Sequence, residues 1–289
     1  MSDQRLDGGK KIKCEAKEND GIEVVVSVII ASYNCVDTIE DAILSVIGQD
    51  FNSKELIVVD GGSTDGTVDV IKAYDDVIYH WVSEADNGVY DALNKGIGFS
   101  RGSWLYFLGA DDKLFNNSVF SQIFSRSIAG KMIYGNVILI GNGVVGNDGD
   151  VYDGEFNKFK LCQKNICHQA IFYNKKLFHV IGKYDLIYPV LSDWEFNIRA
   201  FGMSTTHPAY VDKIISLYNA EGKSSRKHDS KFYEDYLLNI RKNFGSIYYW
   251  FNRILIIIRR NKHLLIRASI LSIIVIIFIL LLSKNYNVK

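Results

Sequence analysis

Short β-branched runs alternate with helix-spaced apolar residues through the first part of the chain. Glu23–Ile30 (EVVVSVII) is an apolar run of strand length, the pattern of a strand buried on both faces. After the break at SYN, Ile39, Ala42, Ile43, Val46 and Ile47 recur at helical spacing. ELIVVD (Glu55–Asp60) predicts a second strand, then the loop GGSTDGT and a helix over VDVIKAY. VIYHWVSE predicts a third strand or edge strand. GVYDALNKGIGFS predicts a helix with Tyr90, Leu93, Asn94 and Ile97 on one face, and SWLYFLG a fourth strand. This alternation predicts an α/β fold with a mostly parallel central sheet and helices on both faces.

The second half is less regular. KMIYGNVILI, QAIFYN and AYVDKIISLYN predict strands, while KKLFHVIG, DWEFNIRAFG and DSKFYEDYLLNIRKNF predict helices, the last capped by Asp229. GNGVVGNDGD reads as a surface loop or hairpin. The first twenty residues are polar and have no signal-peptide core, so an unstructured start is expected through residue 22. Near the other end, Ala268–Ser283 carries no charge. With Arg267 and Lys284 to snorkel, it predicts a membrane-spanning helix, although a span takes roughly 20 residues. The aromatic and basic stretch before it, with Arg253, Arg259, Arg260 and Lys262, predicts an interfacial segment. Positive charge on that side predicts a body on the cytoplasmic face, anchored by the C-terminal helix.

Composition narrows the function classes. The 289 residues are 48% hydrophobic and carry a formal net charge of +0, so no global field draws in nucleic acid. Cys14, Cys35, Cys162 and Cys167 form no CxxC pair and no zinc-ligand spacing.

Three acidic features remain, at or beyond predicted strand ends, where open α/β sheets bind ligands. Asp60 ends a strand and precedes Gly61 and Gly62, which let a ligand approach the backbone; a plain turn with a helix cap fits the same residues. Asp111 and Asp112 stand side by side after SWLYFLG. A divalent cation offsets their repulsion, and Mg²⁺ or Mn²⁺ would bind phosphate oxygens as well; the alternative is an acidic turn. In LSDWEFNIR, Glu195 lies four residues before Arg199, the spacing of a helix-surface pair. That leaves Asp193 available as a general base or as an N-cap.

Taken in order, VSVIIASYN, ELIVVDGGSTDGT, YFLGADD and SDWEFNIR resemble the successive blocks of the family 2 glycosyltransferases, which have the GT-A fold. The block SEADNGVYDALNKGIGFSRGSW is similar to bacterial polysaccharide and lipopolysaccharide enzymes of the colanic-acid type. The resemblance implies an inverting transferase of the hexosyltransferase type. It would take a nucleotide-diphosphate sugar, UDP-linked by default, and a saccharide or lipid-linked acceptor. It places Ala31, Tyr33 and Asp60 at the nucleobase with Gly61 beside them, Asp111 at the ribose and diphosphate, Asp112 on the metal, and Asp193 as catalytic base. Asp86 and His168 (in CHQAIFY) are further donor-side candidates, and Lys95 a weaker one. Gly109 stands where the family carries an earlier acid, and Ser192 replaces the acid before the base. On this resemblance the chain divides into a catalytic unit over 23–225, an interfacial helical segment over 226–262, a membrane span over 263–284 and a tail over 285–289. The rival classes are a nucleotidyltransferase and a sugar-nucleotide-binding scaffold without turnover.

Overall fold

The structure is a computed structural model that describes residues 5–13, 23–126, 128–222 and 228–260. Its first half alternates β1 (Leu6–Gly8), α1 (Lys10–Lys13), β2 (Val26–Ser32), α2 (Ile39–Ile47), β3 (Lys54–Asp60), α3 (Thr67–Ala73), β4 (His80–Ser83), α4 (Val89–Phe99) and β5 (Trp104–Gly109). Then come β6 (Lys113–Leu114), α5 (Val119–Phe124), β7 (Met132–Ile140), β8 (Val151–Tyr152) and α6 (Lys158–Leu161). A 3-10 turn (His168–Ala170) leads into β9 (Ile171–Asn174), α7 (Lys176–Val180), α8 (Ser192–Gly202) and β10 (Pro208–Asn219). Two helices, α9 (Ser230–Phe244) and α10 (Ser246–Arg260), follow.

The strands form one sheet in the order β1-β4-β3-β2-β5-β9-β7-β10-β6, with β8 on β7. The strand period of two sorts its core. Ile29, Ile57, Val59 and Phe107 pack on one face with residues of α4, α8 and α9. Val28, Ile30, Val58 and Leu108 pack on the other with α2, α3 and α5.

The sheet is mixed, which corrects the expectation of a mostly parallel one. β2–β3, β2–β5, β3–β4 and β7–β10 are parallel. β1–β4, β5–β9, β7–β9, β7–β8 and β6–β10 are antiparallel. Parallel neighbours need a long covering crossover. α2, α3 and α4 supply these in the first half, and β9 instead runs back between β5 and β7.

Residues 5–13 also depart from the unstructured start that was expected. β1 pairs along β4, and Asp7 lies 2.6 Å from His80 Nε2. The amide of Gly9 donates to Asp75 at 2.6 Å. β4 is therefore flanked on both sides and is not an edge strand. Among the described residues no helix is long and apolar enough to cross a membrane. The span expected at Ala268–Ser283 lies outside the described residues.

At the amino ends of the strands, buried Glu55 ties three of them together. It accepts from Ser27 Oγ (2.6 Å), the Arg101 amide (2.6 Å) and Arg101 Nε (2.8 Å). Ser27 Oγ in turn accepts from the Gly102 amide at 2.8 Å. Glu55→Ala removes the acceptor of buried Ser27 Oγ and of part-buried Arg101 and is expected to cost about 1–3 kcal/mol of stability, measured by urea denaturation.

Candidate functional site

Parallel register lines up the carboxyl ends of the central strands. Ala31 stands beside Gly109, Ser32 beside Asp60, and Asp60 beside Ser83. The loops leaving β2 and β3 are latched together above this row. Asn34 donates its amide to Ser63 Oγ (2.8 Å) and accepts from the Thr64 amide (2.9 Å). Cys35 N donates to Thr67 Oγ1 at 2.9 Å, and Val36 N donates to Asp65 Oδ2 at 3.1 Å. Asp65 also accepts from the Thr67 amide (3.0 Å) at the start of α3.

Asp60, expected beside a nucleobase, lies beneath the loop. It is 0% exposed. Oδ1 accepts from Ser32 Oγ (3.0 Å) and Ser63 Oγ (2.5 Å). Oδ2 accepts from the amides of Gly62 (3.1 Å) and Ser63 (2.8 Å) and from Ser83 Oγ (2.7 Å). Five donors share its two oxygens, so Asp60 shapes the loop. Tyr33 is 63% exposed above the strand ends, and Ala31 is half-buried.

The two adjacent aspartates separate by burial. Asp111 is exposed, and its Oδ2 accepts from Asn219 Nδ2 at 3.1 Å. Asp112 is 2% exposed; Oδ1 accepts from the Asn219 amide (2.7 Å) and Oδ2 from Gln169 Nε2 (2.6 Å). Burial first, then the neighbouring Asp111 charge, pushes the Asp112 carboxyl up to about 7. Gly109 explains the missing acid of the GADD stretch. A Cβ there would fall 2.2 Å from Asp112 Oδ2, so the Asp112 carboxylate fills the space of the absent side chain.

Asp193 enters this region on the first turn of α8 and does not cap it; the N-cap is Leu191. Its Oδ1 lies 2.7 Å from the Tyr90 hydroxyl, and its Oδ2 accepts from Asn165 Nδ2 at 2.7 Å. His168 Nδ1 stands 3.6 Å from Oδ2. Glu195 takes the structural role its spacing predicts, accepting from Arg199 Nε with both oxygens at 2.8 Å. Asp229 caps α9 as expected (Phe232 N, 3.1 Å). It also accepts from the Val190 and Leu191 amides at 2.9 Å, which fixes the backbone just ahead of Asp193.

The sequence did not single out the residues that hold these carboxylates. Tyr90 reads as a core position of α4, Gln169 as the start of a strand, Asn219 as the end of one, and Asn165 carries no signal. The 3-10 turn joins both halves of the site, with His168 toward Asp193 and Gln169 on Asp112. Lys95 does not face the site in this way. It pairs with Glu84 at 3.0 Å and Asp91 at 3.6 Å, the surface role its position also allowed.

Comparison with known proteins decides the family. The sequence profile of "Glycosyl transferase family 2" matches residues 27–176, about half of the chain. The chain belongs to glycosyl transferase family 2. A PGL/p-HBAD biosynthesis glycosyltransferase of Mycobacterium tuberculosis is 36% identical over 204 residues, covering 68% of this chain and 77% of that protein. The fold is similar to S. aureus TarS 1–349 solved with UDP-GlcNAc, at a TM-score of 0.61 and 17% identity. That match covers 76% of this chain and 67% of the solved one. A mannosyltransferase from Pyrobaculum calidifontis, solved with GDP-Man and Mn²⁺, matches at a TM-score of 0.50 and 15% identity over 79% of this chain and 64% of that one, less than two thirds of its length.

For a family 2 glycosyltransferase, the metal-ligating capacity of this strand end matters. Among the described residues no three His, Cys, Asp or Glu side chains converge into a cage. The pair Asp111–Asp112 fits a different mode, in which Mg²⁺ or Mn²⁺ takes one or two carboxylates and completes its shell with phosphate oxygens and water. No hydrogen bond from the described residues reaches Asp111 Oδ1, so that oxygen is open to such a cation.

The role of Asp60 is open to direct measurement. Asp60→Asn turns an amide toward hydroxyl and amide donors. It is expected to lower stability by about 2–4 kcal/mol in urea denaturation, besides any loss of activity.

Proposed function

We propose that this chain transfers a sugar from a nucleotide-diphosphate donor to a hydroxyl of a saccharide acceptor in cell-surface polysaccharide assembly. The donor class is a UDP-sugar in the first instance, and the anomeric configuration inverts. The observation that carries this reading is the turn at His168–Gln169, which sets the Asp193 carboxylate into the same site as the Asp111–Asp112 strand end. The UDP-GlcNAc and GDP-Man held by the two similar folds support a nucleotide-sugar donor. The Mn²⁺ of the second supports a divalent cation.

The chemistry follows from the groups present. The donor lies across the strand ends, with its base toward Tyr33, Ala31 and the loop held by Asp60, and its diphosphate toward Asp111, Asp112 and His168. When bound there, Mg²⁺ or Mn²⁺ supplies positive charge against the departing diphosphate. Asp193 takes the proton of the acceptor hydroxyl as that oxygen attacks the anomeric carbon. The bond from that carbon to the diphosphate oxygen breaks, and the diphosphate leaves with the electron pair. Attack opposite the leaving group inverts the centre. Tyr90 and Asn165 hold Asp193 in place so that little reorganisation is needed.

The same reading puts the enzyme at the cytoplasmic membrane face with a lipid-linked acceptor. α10 buries Asn252 while Ile247, Trp250 and Ile257 are 38%, 51% and 47% exposed. This apolar outer stripe, next to exposed Arg253, suits a lipid interface and precedes the charge-free stretch Ala268–Ser283.

Two experiments test the proposal. Incubation of UDP-, GDP- and dTDP-sugars with Mn²⁺ and an acceptor mimic is expected to release nucleoside diphosphate. Pyrophosphate release would point to nucleotidyl transfer, and no release to a binding scaffold. In the same assay Asp193→Asn is expected to lower kcat by about 10²–10⁴-fold with donor affinity nearly kept; wild-type turnover would remove Asp193 from the role. Deleting residues 261–289 is expected to leave transfer to soluble mimics intact and to shift the protein from the membrane pellet to the supernatant. A truncated protein that still pellets would rule out the tail as anchor.

A further inference from the structure

The side chains that donate to Asp193 are not equal. The Tyr90 hydroxyl has a single proton and two acceptors at 2.7 Å, Asp193 Oδ1 and the Val190 carbonyl. His168 Nδ1, at 3.6 Å from Oδ2, stands beyond hydrogen-bond length. Among the described residues the Asn165 side-chain amide is therefore the one undivided side-chain donor to Asp193, at 2.7 Å from Oδ2. An asparagine side chain keeps nearly the same shape with its oxygen and nitrogen exchanged. Shape alone does not make Asn165 present an N–H to the carboxylate.

A chain of contacts behind Asn165 fixes that choice. Asn165 Oδ1 accepts from Asn197 Nδ2 at 2.8 Å, and Asn197 Oδ1 accepts from the Tyr173 hydroxyl at 2.7 Å. Every donor in the series points the same way, from Tyr173 on β9 through Asn197 on α8 to Asn165 and Asp193. Reversing Asn197 alone would set its oxygen against Asn165 Oδ1. Reversing both amides would turn an oxygen on Asp193. Tyr173 and Asn197 are fully buried, so neither reaches a substrate. The Tyr173 ring packs among Phe107, Phe178 and Phe196, with centroids 5.9, 5.7 and 5.4 Å away. Phenylalanine and leucine would fill these two positions with no polar group to satisfy, so packing does not call for the polar pair.

We infer that Tyr173, acting through Asn197, is a positioning residue for Asp193: its hydroxyl fixes the sense of both amides so that an N–H faces the carboxylate. This rests on the reading of Asp193 as the group that takes the acceptor proton. A carboxylate held in one orientation meets the acceptor hydroxyl without rearranging first. Without the Tyr173 hydroxyl, Asn197 Oδ1 is buried with no donor, and the series loses its fixed end.

Steady-state kinetics of the full-length protein test this, with Mn²⁺, an acceptor mimic and the nucleotide sugar that releases nucleoside diphosphate in the assay above. The variants are Tyr173→Phe, Asn197→Leu and the two combined, each with and without Asp193→Asn. Each single change is expected to lower kcat about ten- to a hundred-fold with donor KM unchanged. The combined variant should lose no more than the worse single one, because both act through one contact. Thermal unfolding separates positioning from stability. Tyr173→Phe strands Asn197 Oδ1 and should lower the unfolding temperature. The combined variant removes both partners and should recover most of that loss, while kcat stays low. In the Asp193→Asn background neither change should lower kcat further. Should Asn197→Leu fail to fold, Tyr173→Phe with and without Asp193→Asn decides alone. A kcat that recovers with stability in the combined variant overturns the proposal, as does an undiminished loss in the Asp193→Asn background. Wild-type kcat in Tyr173→Phe beside a slow Asp193→Asn removes the positioning role and leaves the base in place. Wild-type turnover in Asp193→Asn removes the base reading and this assignment with it.

Discussion

The hydrogen bond from Gln169 to Asp112 is the contact on which the site depends. Gln169 is 4% exposed and is fixed from several directions. Its carbonyl accepts from Tyr106 on β5 (2.8 Å) and from Ser216 on β10 (3.0 Å), and its side-chain oxygen accepts from Cys167 Sγ (3.0 Å). The turn that carries it thus bridges β5 and β10, on either side of β9 and β7 in the sheet. Its amide holds Asp112, and its neighbour His168 faces Asp193. A carboxylate pushed up by burial and by a like charge next to it needs such donors to stay oriented. Without the turn, Asp112 and Asp193 would belong to separate elements with no common reference.

The sequence made the first half of the fold legible because its periods are clean. The β-branched runs became β2 and β3, and the apolar face of α2 buries Ile39, Ala42, Ile43 and Val46 as spaced. Strand direction in the second half was not legible. An apolar run says that a strand is buried and nothing about which way its neighbour points. The same limit applies at the site. The sequence marked the carboxylates because unusual placement of charge is visible in one dimension. It could not mark Tyr90, Asn165, Gln169 and Asn219, whose roles come from contacts across the fold and whose residue types are ordinary there. Asp60 carries both kinds of signal. Its strand-end position and following glycines pointed to a ligand, and the fold adds five donors on its carboxylate that one dimension does not show.

Two glycines unify the departures from the expected pattern. Gly61 and Gly109 end up near carboxylates contributed by other positions, Asp86 and Asp112, each filling the volume of a side chain that is not there. The acid that Gly109 lacks is not replaced; its space is taken by Asp112, one of the two acids that the stretch still carries.

The short strand β1 has a consequence of a different kind. Among the described residues it pairs only with β4, Leu6 against Ser83 and Gly8 against Trp81. Its partner is made long after it, and β4 needs β3 before it has a sheet to join. Contacts this distant in sequence close late, because the loop entropy must be overcome before they contribute. β1 is thus among the last strands to be seated, completing an edge that the rest of the sheet must first build.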